Sequence, residues 1–312
     1  MKKFLLLIIL VVIIASTSFS QLFENENCGA NDNFIGNIFK HPWEKNNELL
    51  LNYLDTIGYK TDTFKTFYIV PVKFWIYRKA DSTGGLNEKE IKGNIQYLNY
   101  YYSLNNTGIQ FYLNPEIEYI NKNKYFFMRY ILQGPFQTFK HKTKGNINIL
   151  FVDKLELFKF GKKVKDYNGT FNTISKGVII CSKTSTSSLS HEIGHFFGLK
   201  HPHRHWKRGK RKQESVDRDK RFHRIFNHKK NCEKNGDGLC DTPAEPDLTK
   251  YSDKNCKYTG WNVVDNWGVV YKPSTINIMS YTKNRECRNL FTKGQVAVML
   301  KTASKNKYSK YW

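Results

Sequence analysis

After its first fifteen residues the 312-residue sequence has no stretch long and apolar enough to span a membrane as a helix. The one apolar run, Phe4 to Ala15, follows Lys2 and Lys3 and leads into Ser18-Phe19-Ser20. It falls short of the ~20 residues a spanning helix needs, so residues 1–20 read as a secretory signal peptide cut after Ser20 and not as an anchor. No cysteine stands at that cut, which argues against a lipid-anchored lipoprotein. No internal repeat is visible. Acidic residues are scarce: 27 Asp and Glu stand against 50 Lys and Arg, a net charge of +23. Such a balance suits polyanionic partners. For most of the chain, however, it follows from a Lys- and Asn-rich composition, and no specific nucleic-acid recognition is expected.

One stretch departs from that background. Between His203 and Asn231 there are twelve Lys and Arg and only three acids. A block like this is expected to be a solvated loop, and polyanion contact, if any, is expected through residues 203–231. His223 and His228 within it read as surface groups.

Export permits disulfides. The six cysteines are Cys28, Cys181, Cys232, Cys240, Cys256 and Cys287, four of them in the last third. Sequence alone does not choose among their pairings. Hydrophobic residues make up 40% of the chain, enough for a packed core in one large domain or two smaller ones.

Patterning predicts a mixed α/β (α+β) order. Residues 67–77 are β-branched and aromatic and predict a buried strand. Asn87 and Glu90 form a capping pair, and Ile91, Ile95, Leu98 and Tyr102 follow at helical spacing. Residues 108–120, 146–152 and 177–182 predict three further strands, with a loop at 153–176. A second helix is expected to begin at Ser187 or Ser188 and to stop at Gly198. Residues 231–280 are turn-rich. A last helix starts at Thr292, with Gln295 completing a capping box.

The most informative segment is "SHEIGHFFGLKHPH", residues 190–203. Residues four apart share a helix face, so His191 and His195 point at one ion from adjacent turns. Glu192 lies beside that ion and not on it. A hydrolytic zinc site needs three protein ligands and an open position for water. His201 is the expected third ligand, because Gly198 lets the chain turn back after the helix. His203 and His205 follow closely but do not keep that spacing. Zinc would lower the pKa of bound water to ~7, and Glu192 would take its proton and pass it to the leaving amine.

The full spacing His-Glu-x-x-His-x-x-Gly-x-x-His resembles the metzincin metalloproteases. "NIMSY" (277–281) resembles that clan's methionine turn, which implies Met279 as the floor of the site and Tyr281 as a group on the metal or on the transition-state oxyanion. Within the clan, the chain resembles the pappalysin family. The segments that carry this are "GDGLCDTPAEPDL" (236–248), "CRNLFTKGQVAVM" (287–299), "VPVKFWIY" followed by "LNEKEIKGNIQYLN", and "NCGAND" (27–32). Together they run from about residue 27 to 300. Pro202 is not the Glu or Asp of astacin- or adamalysin-type enzymes, and residues 203–231 look like an insertion atypical of the family.

The resemblance implies a secreted zinc metalloendopeptidase made as a latent proenzyme. Residues 21–65 would be propeptide-like and 66–312 a metzincin-type catalytic domain, with a twisted sheet, an active-site helix and an irregular C-terminal part ending in a helix. It implies Cys28 as a cysteine switch on zinc, while pairing of Cys28 with Cys181 stays open. The other four cysteines would then form two bridges, one of them Cys256–Cys287. Asp237, Asp241 and Thr242 would offer oxygens to Ca2+, though a Gly-Asp turn accounts for the same residues. The alternative reading is a secreted polyanion-binding protein of metzincin shape with little peptidase activity. Glu192 argues against it, because binding needs no general base.

Overall fold

The computed structural model describes residues 68–159, 162–220 and 230–304. The expected signal peptide, the propeptide-like segment, Cys28, His41, His223 and His228 lie outside these residues. Among the described residues, no helix is long and apolar enough to cross a membrane.

β1 (Tyr68–Arg78) is the centre of a six-stranded sheet. Alternate residues of a strand face opposite sides, and both sides of β1 are covered. Val70, Val72, Phe74 and Ile76 enter one apolar cluster, while Tyr77 enters another. α1 (Glu88–Leu104) opens with the predicted Asn87–Glu90 capping box and buries Ile91, Leu98 and Tyr102 against the first cluster, with Ile95 partly buried.

The single strand expected at 108–120 is two strands. β2 (Ile109–Leu113) pairs in parallel with the first half of β1, and β3 (Glu118–Asn121) pairs in parallel with its second half. Pro115 has no N–H to give a ladder, so pairing lapses there. The Asn114 side chain turns the chain by accepting from the Glu116 N–H at 3.0 Å.

Pattern predicts nothing for 121–145, which form α2 (Asn123–Phe126), β4 (Phe127–Arg129) and α3 (Tyr130–Lys140). β5 (Ile147–Val152) pairs in parallel with the other side of β1.

The loop expected at 153–176 is a correction. It contains β6 (Lys154–Lys159), β7 (Lys162–Tyr167) and β8 (Gly169–Phe171). β6 and β7 are antiparallel, and β4 joins them in a second, three-stranded sheet. Leu155 faces the core. Outside, Lys163 bridges Glu156 at 3.1 Å and Asp166 at 2.9 Å. A strand whose outer face is charged carries few of the apolar residues by which strands are recognised.

β9 (Val178–Cys181) is parallel to β5, and β8 lies antiparallel to β9 at the edge of the large sheet. α4 (Thr186–Phe196) packs on the same apolar cluster as α1 through Leu189, Ile193 and Phe196. Beyond it, the described residues make single turns at Asn231–Glu233, α5 (Leu248–Tyr251) and Arg285–Cys287 and are otherwise irregular, before α6 (Lys293–Ala303) follows the predicted Thr292–Gln295 capping box.

Disulfides Cys232–Cys240 and Cys256–Cys287 staple this part. Closing loops of these lengths stabilises by about 2.5–4 kcal/mol each in the chain-entropy account. The second is the bridge the resemblance implied. Cys181 is a buried free thiol that donates to the Tyr167 carbonyl, and burial raises its pKa to about 11.

The described part of the basic block is not simply a solvated loop. Gln213, Glu214 and Ser215 are buried. The Asp265 carboxylate accepts from the Ser215 hydroxyl and the Val216 N–H, and the Asn231 side chain accepts from the Ser215 N–H.

Candidate metal centre

α4 starts two residues earlier than its expected caps. Its N-cap is Ser185, whose side chain makes no capping bond. The reason lies in Arg288. This buried guanidinium donates to the hydroxyls of Ser185, Ser187 and Ser188 at 3.2–3.3 Å, drawing them away from the helix N-terminus. It also reaches the Ser280 carbonyl at 3.4 Å, so it ties the start of α4 to the methionine turn.

The other end of α4 explains the glycine in the motif. Gly198 has φ +97°, a conformation open to glycine and strained for other residues. Its N–H donates to His195 O at 3.0 Å, and the Leu199 N–H donates to Gly194 O at 3.0 Å. These two bonds are the Schellman termination. The chain then reverses and brings His201 back to the helix.

His191, His195 and His201 converge. The Nδ1 of His191 lies 2.7 Å from the Ile278 carbonyl, and that of His195 lies 2.8 Å from the Leu199 carbonyl. Carbonyls only accept, so each Nδ1 carries the proton. Burial holds all three imidazoles below their ordinary pKa, hence neutral. The Nε2 atoms of His191 and His195 therefore present lone pairs, at 3.2 Å and 3.0 Å from His201 Nε2. Three ring nitrogens gathered in this way can hold a cation between them. A tetrahedral ion with metal–nitrogen bonds of 2.0–2.1 Å sets its nitrogens about 3.3 Å apart, so the trio fits zinc. Carbonyl bonds to the far ring nitrogens are the usual means of orienting such ligands.

Glu192 is buried beside the trio, and burial pushes its carboxyl up to about 8 while Arg288 pulls it the other way. β8 crosses directly over it. A Cβ at Gly169 would stand 2.9 Å from Glu192 Cγ, so glycine is what allows this approach.

The methionine turn underlies the helix. A Cβ at Gly194 would meet Met279 Sδ at 2.7 Å, which accounts for glycine between Ile193 and His195. The Tyr281 ring lies 4.5 Å from that of His201 and 5.7 Å from that of His191. Burial, reinforced by Glu192, keeps its hydroxyl protonated.

Two contributors were not singled out in the sequence. Arg288 is one. His203, set aside as a ligand by its spacing, is not in the trio; its ring stacks 5.0 Å from that of His201 and lies 4.6 Å from that of Tyr281. Glu245 is the second. It is buried, accepts from the Ser280 hydroxyl at 2.7 Å and faces His203 Nδ1 at 3.5 Å. Its place within the Asp-Thr-Pro-Ala-Glu segment was the available signal.

The oxygens proposed for calcium have protein partners. Asp237 accepts from the Leu239 N–H and the Gln295 side chain, and Asp241 accepts from the Gly294 N–H at the start of α6. The neighbouring carbonyls of Leu239, Cys240 and Thr242 accept from Arg218, which also donates to Ser215 O and to Glu214. Thus a guanidinium from the basic block supplies positive charge beside this loop. Among the described residues, His191, His195 and His201 are the only group of three or more His, Cys, Asp or Glu side chains placed to hold a metal.

The fold is metzincin-like, a mixed α+β architecture with a twisted sheet. It is similar to mature mirolysin of Tannerella forsythia in complex with a cleaved peptide, with TM-score 0.53 and 17% identity over 80% of this chain and 96% of that one. It is also similar to a T. forsythia promirolysin mutant, with TM-score 0.50 and 16% identity over 92% of this chain and 97% of that one. At such identity the likeness is one of fold. No family model matches the sequence, and no curated protein does.

Proposed function

We propose that the chain is a zinc-dependent endopeptidase of the pappalysin type, secreted and made as a proenzyme. One observation carries the reading: two neutral imidazoles, their Nδ1 protons committed to carbonyls, turn Nε2 lone pairs on a third imidazole beside the buried carboxyl group of Glu192. His191, His195 and His201 would hold the ion. Zinc, when bound, supplies Lewis acidity that polarises a carbonyl and acidifies water.

The remaining work belongs to the chain. Glu192 accepts the proton of the attacking water and delivers it to the leaving amine. The Tyr281 hydroxyl donates a hydrogen bond to the scissile carbonyl oxygen as negative charge gathers there. Among the described residues β8 pairs on one side only, with β9, and it passes over Glu192, so an extended peptide adds to it by backbone pairing and is held across the base. The peptide-bound mirolysin of similar fold supports a peptide as the substrate. Two disulfides suit an oxidising compartment. The promirolysin likeness supports latency, with Cys28 as the proposed thiolate on the metal. Asp237 and Asp241 already accept from Leu239, Gln295 and Gly294, so the reading does not draw on calcium.

The test is a paired measurement on purified protein of zinc per chain and of casein digestion with and without a chelator. Protein that binds zinc tightly yet leaves casein and peptide libraries uncut at every stage of processing would falsify the peptidase reading.

A further inference from the structure

The basic segment after the third histidine is held in place, although its charged side chains are exposed. Arg204, Lys207, Arg208, Lys210, Arg211 and Lys212 are all exposed. Among the described residues none of the six is in an ion pair. The backbone beneath them is pinned. The Arg204 N–H donates to His201 O at 3.1 Å, closing a turn on the third histidine itself. The Asn266 side chain donates to Arg208 O at 2.8 Å, and the Gln213 side chain donates to Trp206 O. The buried Gln213, Glu214 and Ser215 anchor the far end.

Six like charges within nine residues repel one another, and pinning them sacrifices the freedom that would spread them apart. A loop serving solubility alone has no need of buried polar anchors. The turn onto His201 sets Arg204 Cα within about 7 Å of His201 Cα. The charged segment therefore begins one turn after the third histidine, and exposed charges act over about a Debye length, ~8–10 Å, at physiological salt.

We infer that residues 204–212 are a fixed cationic rim that selects polypeptide substrates carrying acidic side chains next to the scissile bond. This rests on the peptidase reading above. An acidic polypeptide is favoured over a sulfated polysaccharide because the rim starts one turn from the proposed catalytic zinc, where a chain lying in the cleft must pass.

The test uses the full zinc-loaded chain and three quenched fluorescent peptides with one cleavable centre. One peptide has neutral flanks, one a run of glutamates on its amino side, one the same run on its carboxyl side. In low salt, kcat/KM for one acidic peptide should exceed that for the neutral peptide by about tenfold, the sum of several exposed charge pairs, and should approach parity in about 0.5 M salt. Lys207→Gln/Lys210→Gln/Arg211→Gln/Lys212→Gln should abolish the preference and leave the neutral peptide's turnover unchanged. Replacing the three lysines by arginine should retain it.

Absence of any acidic preference in the wild type, or its survival in the glutamine variant, overturns the inference. Heparin binding that depends on these lysines, without a preference among peptides, also overturns it and reassigns the rim to sulfated polysaccharides. Failure to cut even the neutral peptide counts against the peptidase reading instead. Fluorescence anisotropy of the same labelled peptides then still reads the rim: salt-sensitive binding of acidic peptides lost in the glutamine variant upholds it, and equal binding by both proteins sinks it.

Discussion

Residues 68–198 and residues 199–292 are held together by different means. In the first, strands and helices satisfy their own backbone groups, and alternation or helical spacing feeds one apolar cluster from β1, β5, β9, α1 and α4. In the second, side chains do what regular structure does not. Asp265 accepts from the N–H groups of Val216, Trp267 and Val269. Arg218 collects four carbonyls. The buried Asn277 side chain gives and receives bonds with the side chain of Gln295 at the start of α6, at 3.0 Å and 3.4 Å. Losing one apolar contact in the first region leaves its neighbours packed. Losing one polar side chain in the second orphans several buried groups at once. The metal centre straddles both, with two histidines and Glu192 from α4 and His201, Met279 and Tyr281 from the irregular part.

The largest expected effect separates base from ligand across that divide. Glu192→Ala in the helix should lower peptidase activity by ~10²–10⁴-fold while zinc per chain is unchanged. His201→Ala in the irregular part should lose zinc and activity together. A Glu192→Ala protein of normal rate would end the proposed mechanism.

Next come two buried deletions. Phe74→Ala should cost about 3–5 kcal/mol of global stability, seen as a lower Tm, with zinc affinity intact below the transition. Arg288→Met should cost about 1–3 kcal/mol, because hydroxyls and carbonyls lose their donor. It should weaken zinc binding while far-ultraviolet circular dichroism stays native, since Arg288 joins α4 to the methionine turn. Equal and purely global losses in both would erase the contrast between the regions.

The irregular part should also carry a pH signature. Burial raises the Asp237 carboxyl from its ordinary 3.8 to about 6. The folded chain thus holds this proton more tightly than the unfolded one. The resulting stability is complete below about pH 4 and is lost as pH rises through about 6, up to about 3 kcal/mol in all. Asp237→Asn should flatten that part of the Tm profile. An unchanged slope in the variant would place the titration elsewhere.

The smallest effect concerns Glu245. Glu245→Gln keeps an acceptor for Ser280, so activity should fall less than about tenfold. Glu245→Ala frees both Ser280 and His203 and should fall further, with weaker zinc binding. Identical behaviour of the two variants would remove Glu245 from the positioning of the site.

Much of this was legible in the chain itself because it rests on local physics. The capping boxes at Asn87 and Thr292 and the apolar face of α1 stand as the patterns predict, because each depends only on residues a few positions apart. The spacing from His191 to His201 likewise needs only helix geometry and one glycine turn. The misses have local causes too. Pro115 split a strand that hydrophobicity alone joined. β6 and β7 carry their charges outward and look like loop. Ser187 and Ser188 are good caps by type, yet Arg288, a hundred residues on, takes their hydroxyls.

By itself, then, the sequence determined the spacing of the three histidines and Glu192, the turn at Gly198 and the capping boxes of α1 and α6, since backbone propensity and spacing act over short range. Only the tertiary structure decided which side chains stand behind them. Glu245 under Ser280, His203 facing Glu245, Gly169 above Glu192 and Arg218 among the carbonyls all join segments far apart in the chain. The physical reason is burial. Polar groups taken out of water must find partners, and which partners are within reach depends on how the whole chain packs.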